Sequence, residues 1–308
     1  MSQVVEDTAR RWWATPGPFT ELGSHDLAIS RDADGRPSIA AVVAAVQGLL
    51  VYDLVATPFY GIELSPERAE DINVRSVAEL LDRAWSIAPR PLGERRPPAE
   101  RVTGRCNTYA KLTVAILRAC DVPARARCGF GAYFRPGYFE DHWVAEYWDD
   151  AISRWIMVDA QLDDAWIGAI GFGGDPLDLR DDEFVTAGRA WTEWRSGTAD
   201  AERYGLSAIN EHGVFWIAGN LRLDVTALNK IEMLPWDVWG AHWEPHEPIP
   251  DDLSLFDTMS ALANDPDRNL PALRDLSDRD PRVHIPGEVF NVNRQTVETV
   301  VLPDVDLA

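Results

Sequence analysis

Between Gly104 and Asp159 the chain switches from helical to strand periodicity, and that order admits few folds. The segment Val102-Thr103-Gly104-Arg105-Cys106-Asn107-Thr108-Tyr109-Ala110 is small and polar and leads into Ala110 to Cys120, mostly apolar and free of Gly or Pro. This predicts a loop that becomes a helix at or just before Cys106 and closes before Pro123, because proline cannot continue a helix and restricts the residue before it. Ala124 to Tyr133 then reads as a strand. His142-Trp143-Val144-Ala145-Glu146-Tyr147-Trp148 and Ser153-Arg154-Trp155-Ile156-Met157-Val158-Asp159 read as two more, joined by Asp149-Asp150-Ala151-Ile152 as a four-residue hairpin loop.

Three side chains in this stretch carry chemistry. A thiol in the first turn of a helix sits near unsatisfied N–H groups and the positive end of the dipole, and both favour the thiolate. Arg105 next to it either adds to that field or points to solvent. Cys120 and Cys128 keep the plainer reading of small buried apolar residues. If Trp148 pairs with Ser153, His142 falls directly opposite Asp159, with Cβ atoms about 4.5 to 5.5 Å apart, which is hydrogen-bonding reach for an imidazole and a carboxylate. On that register Val144, Glu146, Trp155 and Met157 share the face, so the pair ends a mostly apolar surface able to pack on the cysteine helix. Cys106, His142 and Asp159 are then nucleophile, proton carrier and orienting acid. A histidine beside an aromatic strand can also be a satisfied structural residue; the acid opposite and the cysteine upstream weigh against that.

The blocks Gly104-Arg105-Cys106, Leu117-Arg118-Ala119-Cys120-Asp121-Val122-Pro123-Ala124-Arg125, His142-Trp143-Val144-Ala145-Glu146-Tyr147 and Trp155-Ile156-Met157-Val158-Asp159 together resemble the transglutaminase-like core. The resemblance implies an α+β fold: a transglutaminase-like (papain-like) core with a nucleophile helix packed on an antiparallel sheet, here with helical N- and C-terminal extensions. It implies Cys106 as nucleophile, His142 as general base and Asp159 as orienting acid, with no cofactor. Two positions depart from the pattern. Ala160 stands where many members carry proline, and the nearest upstream tryptophan, Trp85, lies in a different element from the one that completes the oxyanion hole in some members. Beyond the backbone N–H of Cys106 the oxyanion donors stay open, with Arg105 and Trp143 as the neighbouring first-contact residues.

A chain of 308 residues with 46% apolar content can bury a substantial core, in one large or two modest domains. The expected organisation is a mainly helical segment over 1–95, the catalytic core over 96–165, and a loop and mainly helical extension over 166–308 packed on that core. Three cysteines, an odd number without framework spacing, point to free thiols in a reducing compartment. Met1 to Arg11 lacks a signal pattern, and the longest apolar run, Ile39 to Ala56, is broken by Gln47 and Asp53, so a buried helix and residence in the cytoplasm are expected. The net charge of −21, from 29 basic and 50 acidic side chains, disfavours nucleic acid and anionic membranes as partners. Arg90, Arg95, Arg96, Arg101 and Arg105 form the one dense basic stretch. It is either a docking patch for an acyl donor tethered to an acidic carrier protein or a solvated proline-rich connection.

Ile39 to Ala56 and Ser76 to Ala88 have helical spacing, the second opened by Ser76 as cap with Glu79 three residues on. Gln161 to Asp178 reads as a long loop. Asp181 to Ser196, Val214 to Lys230, Asp252 to Asn264 and Leu270 to Leu276 read as helices, and Val289 to Leu302 as an edge strand. Of the 13 tryptophans, most are first of all core. Trp236 and Trp239, in a Pro-bounded loop of rings with polar tips, also suit the wall of an acyl or peptide groove. His242 and His246 are four apart, but Pro245 disfavours the helix that would align them, so no metal site is expected.

These readings converge on cysteine-dependent acyl transfer. An amide, thioester or ester would be taken up as a thioester acyl-enzyme and passed to an amine or to water, with a peptide, amine or acyl-thioester substrate. The rival is a non-catalytic binding or scaffold protein that retains the fold, for which a helix-mouth thiol with a His and an Asp downstream has no physical purpose.

Overall fold

The structure, a computed structural model, describes residues 2–26, 29–31, 35–244 and 247–302. The N-terminal elements are α1 (Ser2–Trp13), α2 (Ile39–Leu49), β1 (Leu50–Tyr52), α3 (Ala56–Tyr60), α4 (Pro66–Ala69), α5 (Val77–Ile87) and β2 (Val102–Gly104). The middle holds α6 (Cys106–Arg118), β3 (Ala124–Gly131), β4 (Phe139–Asp149), β5 (Arg154–Val158) and α7 (Asp164–Ile170). The rest is β6 (Phe184–Thr186), α8 (Ala187–Arg195), β7 (Tyr204–Leu206), β8 (Glu211–His212), α9 (Val214–Leu228), β9 (Asp237–Val238), α10 (Ser254–Ala263), α11 (Pro266–Arg279), β10 (Glu288–Asn291) and β11 (Thr296–Thr299). Helices and sheets are mixed, as an α+β chain requires. The chain gathers into two units, each assembled from separate stretches: a cysteine unit with Arg10–Ala126 and Trp143–Leu179, and a C-terminal unit with Met1–Ala9, Arg127–His142 and Arg180–Pro303.

In the cysteine unit every residue of α6 is buried, and α2, α5 and β2 pack on it, so these N-terminal elements cover the cysteine helix. Two cations inside this buried helix are spent on oxygen acceptors. Lys111 donates to the carbonyls of Val74 and Arg75, and Arg118 to the Ala124 carbonyl at 2.9 Å and Thr20 Oγ1 at 3.0 Å. The helix stops before Pro123. Asp121 takes a left-handed φ of 58°, and the Val122 N–H closes back on the Leu117 carbonyl at 3.0 Å, a Schellman-type end. In α5 the Ser76 hydroxyl accepts the Glu79 N–H at 3.2 Å, as its cap spacing predicts, while the Glu79 carboxylate turns to Arg83.

The helix expected over Ile39 to Ala56 ends at Leu49 instead. Leu50-Val51-Tyr52 are strand-favouring residues that find a partner in Val102-Thr103-Gly104, forming a parallel pair with Leu50 beside Val102 and Tyr52 beside Gly104. The hairpin also differs from expectation. Trp148 pairs with Trp155 and Asp149 with Arg154, a shift of two residues from the Trp148–Ser153 register. Ser153 takes a φ of 52°, a turn conformation that no strand position offers, and Asp149 Oδ1 accepts the Ala151 N–H at 2.8 Å. The ladder's last pair is Ala145 with Val158. Continued one step, it would set Asp159 against Val144 and not against His142. Because the shift is even, each β5 residue keeps its expected face. Glu146, paired with Met157, is ion-paired at 2.5 Å to Arg125, whose guanidinium lies 3.8 Å from the centre of the Trp155 ring and 4.5 Å from that of Trp13.

One further reading is corrected here. Gln161 to Asp178 contains the helix α7. Asp163 Oδ1 caps it at the N–H groups of Ala165 and Trp166 (3.0 and 3.1 Å), and Gly171 ends it at a φ of 66°. Within the arginine-rich stretch Arg95 is exposed, while Arg96 and Arg101 fold inward. Arg96 is fully buried and donates to the carbonyls of Ala88, Arg90, Pro91, Leu92 and Glu94, Arg101 is buried on the Arg96 carbonyl, and Arg90 is paired with Glu100.

In the C-terminal unit β6 pairs antiparallel with β3 (Gly129 with Thr186, Gly131 with Phe184), β7 runs parallel to the start of β4 (Phe139 with Tyr204), and β8 turns back on β7. Gly129 is required here, since a Cβ would stand 2.3 Å from the Val185 carbonyl oxygen. The helix expected from Asp181 begins only at Ala187, because Phe184–Thr186 is used in the sheet and the Thr186 hydroxyl then caps α8. Helices α8 to α11 pack on one another around α9 and α10. Val289 to Leu302 forms a hairpin, not one edge strand: β10 lies between β11 and β9, with Phe290 opposite both Val297 and Val238. Among the described residues no helix is long and apolar enough to cross a membrane.

Candidate active site

Cys106 is the first residue of α6 and only 9% exposed. The Thr108 and Tyr109 N–H groups both close on the Arg105 carbonyl (2.7 and 3.2 Å), so the amides of Cys106 and Asn107 are the ones the helix leaves outside its own ladder. Arg105 offers no capping side-chain acceptor. Instead its own N–H is taken by Thr108 Oγ1 at 3.3 Å. Gly104 makes that possible, because a Cβ there would meet Thr108 Cβ at 2.9 Å. Asn107 is 2% exposed, and neither its Nδ2 nor its Oδ1 has a hydrogen-bond partner among the described residues.

The Arg105 side chain is committed to Asp53. Its Nε lies 3.0 and 3.1 Å from the two carboxylate oxygens and its Nη2 2.8 Å from Oδ2, a forked pair in which Arg105 is 24% and Asp53 11% exposed. The parallel strands dictate this: with Tyr52 beside Gly104, the next residues of the two strands are Asp53 and Arg105. Burial pushes the guanidinium down, but the bond to Asp53 and its charge, together with Tyr52 and Cys106, hold it above its ordinary value. Sequence reasoning missed Asp53 as the partner of Arg105. Its one visible signal was that it interrupts the apolar run Ile39 to Ala56.

Asp159 lies just past β5 and is 1% exposed. Its Oδ1 accepts the Gln161 N–H at 2.9 Å, and its own N–H donates to the Pro176 carbonyl at 2.8 Å. The strand exit that lacks a following proline is therefore turned by the carboxylate itself. Trp143 is buried in the same unit, and Trp85 stands 48% exposed on α5. Tyr52, Phe59 and Trp166 form a half-buried aromatic group, with ring centres 5.5 Å (Tyr52 to Trp166) and 5.0 Å (Phe59 to Trp166) apart. Nothing in their scattered positions announced it.

His142 is the last residue of the Arg127–His142 stretch of the C-terminal unit and is 2% exposed. Its ring stands edge-on to Phe134 at 4.8 Å and to Tyr133 at 6.0 Å. Gly131 lets Phe134 approach, since a Cβ would meet that ring at 2.8 Å. Burial raises the neighbouring Asp141 carboxyl from 3.8 to about 6, against the opposing effect of its bond with Asn220 Nδ2 at 2.7 Å. Trp239 is 5% exposed, its indole N–H donates to the Val283 carbonyl at 3.2 Å, and the Arg222 guanidinium lies 4.1 Å from its ring centre; Trp236 is half-buried. All three cysteines are free, with Cys128 buried and Cys120 partly exposed. Of the histidine pair considered for a metal, His246 lies outside the described residues, among which no group of three or more His, Cys, Asp or Glu is set to hold a metal ion.

No curated protein and no solved structure matches the chain. Residues 68–160, under a third of its length, match the family model of the transglutaminase-like superfamily, and the chain therefore contains a transglutaminase-like segment, the one in which Cys106, His142 and Asp159 all fall.

Proposed function

We propose that the protein is a cysteine-dependent acyl-transfer enzyme with Cys106 as nucleophile, His142 as proton carrier and Asp159 as the acid that orients it. The observation that carries this reading is a thiol at the first position of a buried helix inside a transglutaminase-like segment. The Cys106 sulfur attacks the carbonyl carbon of an amide, thioester or ester while His142 takes the thiol proton. The proton then passes to the leaving amine, thiol or alcohol as the thioester acyl-enzyme forms. An amine or water, deprotonated by His142, attacks that thioester and restores the thiol. Helix-terminal amides at Cys106 and Asn107 suit the negative charge that develops on the carbonyl oxygen. The burial of Asp159 suits an orienting acid, and the aromatic surroundings of His142 suit a proton carrier held in one pose. The acyl donor is an amide, an acyl thioester or an ester.

The test is to incubate the protein with an acyl thioester and a panel of amines and read the products by mass spectrometry. Cys106 is expected to carry the acyl group and to release amide or acid, and Cys106→Ala is expected to lower the rate by about a thousandfold or more. Iodoacetamide should label Cys106 well ahead of Cys120 and Cys128. Equal, slow labelling of all three with no acylated Cys106 would favour the scaffold reading.

A further inference from the structure

We propose that Asp53 is a positioning residue for the Cys106 sulfur, acting through Arg105: it anchors the residue from which α6 starts and cancels the charge that Arg105 would otherwise present to the thiol. The inference rests on Cys106 being the nucleophile and adds a residue that the triad does not contain.

The geometry is that of a locked pair. One carboxylate takes three N–O contacts of 2.8 to 3.1 Å from a single guanidinium, an arrangement with little rotational freedom. With side chains 24% and 11% exposed, the pair is shielded from the solvent and salt that loosen surface bridges. It is also placed where it matters. Arg105 is the residue that flanks α6, no side-chain cap of its own fixes it, and its backbone is extended (φ −120°, ψ −179°) immediately before the cysteine turns into the helix. The tie that holds it comes from another strand, through the pairing of Tyr52 with Gly104. The Cys106 sulfur lies within electrostatic reach of the same guanidinium.

One consequence follows for the thiol. A bare guanidinium beside a sulfur favours the thiolate, but one neutralised by a forked carboxylate presents a dipole, whose influence falls off faster with distance than that of a charge. Asp53 thereby reduces the charge that Arg105 presents toward the neighbouring sulfur. A staple that merely joined β1 to β2 would need neither the charge nor the proximity to the cysteine.

The charge argument predicts opposite shifts for the two halves of the pair, which a structural staple does not. The rate of Cys106 alkylation by iodoacetamide is measured against pH by peptide mass spectrometry in the full-length protein. In Asp53→Asn the half-maximal pH is expected to fall by roughly half a unit to one unit, and in Arg105→Gln to rise by a similar amount. The double variant Asp53→Asn/Arg105→Gln, neutral and still able to hydrogen-bond, is expected to return close to the wild-type value. Single variants that shift in the same direction, or not at all, overturn the proposal. If a single variant fails to fold, Arg105→Lys carries the test: charge without the fork should leave the half-maximal pH in place while lowering the acyl-transfer rate, and a shift as large as expected for Arg105→Gln would overturn it. Wild-type Cys106 labelling no faster than Cys120 and Cys128 would instead remove the nucleophile assignment itself. Fast wild-type labelling with unmoved variants removes only the role of Asp53.

Discussion

Each unit is built on a buried helix that carries polar residues, α6 in the cysteine unit and α9 in the C-terminal unit, and the two treat those residues differently. In α9 the buried carboxylate and the buried amide are bound to named partners. Asp224, fully buried, receives Arg127 at 3.0 Å on one oxygen and 2.9 Å on the other, and the Cys128 N–H at 2.9 Å; Asn220 Nδ2 reaches the Gly129 carbonyl and Asp141. In α6 the later residues Lys111 and Arg118 each donate to oxygen acceptors, but at its first turn the Asn107 amide has no partner among the described residues, beside the thiol of Cys106. A helix whose buried carboxylate and amide are engaged serves stability; one that leaves an amide open at its mouth has capacity to bind something else there.

The largest effect that would test this contrast is at Asp224. Asp224→Ala leaves the Arg127 guanidinium buried without its carboxylate and is expected to cost about 3 to 5 kcal/mol, read as a lower midpoint in urea. A loss under about 1 kcal/mol would mean that α9 is not held by this pair. Next comes Asp141. Its native carboxyl holds a proton more tightly than the unfolded chain, with a pKa of about 6 against 3.8, because burial penalises the charge. That contribution to stability is therefore fully present below the unfolded value, is lost as pH rises toward 6, and changes no further above it. Asp141→Asn removes the dependence, so the stability of the variant relative to wild type should grow by about 2 to 3 kcal/mol between pH 4 and pH 6 and then stay level. A constant difference across that range would show that Asp141 is not the titrating group. The smallest effect is at Asn107. Asn107→Leu replaces an unsatisfied amide with an apolar side chain of similar size and better helix propensity, and is expected to raise stability by about 1 kcal/mol. If the variant is less stable instead, the amide is engaged and the contrast between the helices disappears.

The helix around Cys106 was legible because its limits are local. Proline at 123, the polar approach and the apolar run lie within a turn or two of the boundaries they set. The α7 helix was equally legible in principle, since Asp163 and Gly171 are a cap and a stop, but the surrounding glycines and aspartates read as loop. The strands of the hairpin were placed correctly and paired wrongly. Their register turned on the conformation of one residue, Ser153, which either of two turns could have accommodated.

The amino-acid sequence by itself determined that a thiol opens a helix, that a histidine and an aspartate follow on strand-like segments, and which faces those strands present, because each rests on steric limits and periodicities a few residues long. Only the tertiary structure decided that Leu50–Tyr52 leaves its helix to pair with Val102–Gly104, that Asp53 reaches Arg105 in consequence, and that Arg96 and Arg101 turn inward. Those outcomes depend on partners distant in the chain, and the free energy that selects among alternative pairings comes from burial and hydrogen bonding that exist only once the partners have met.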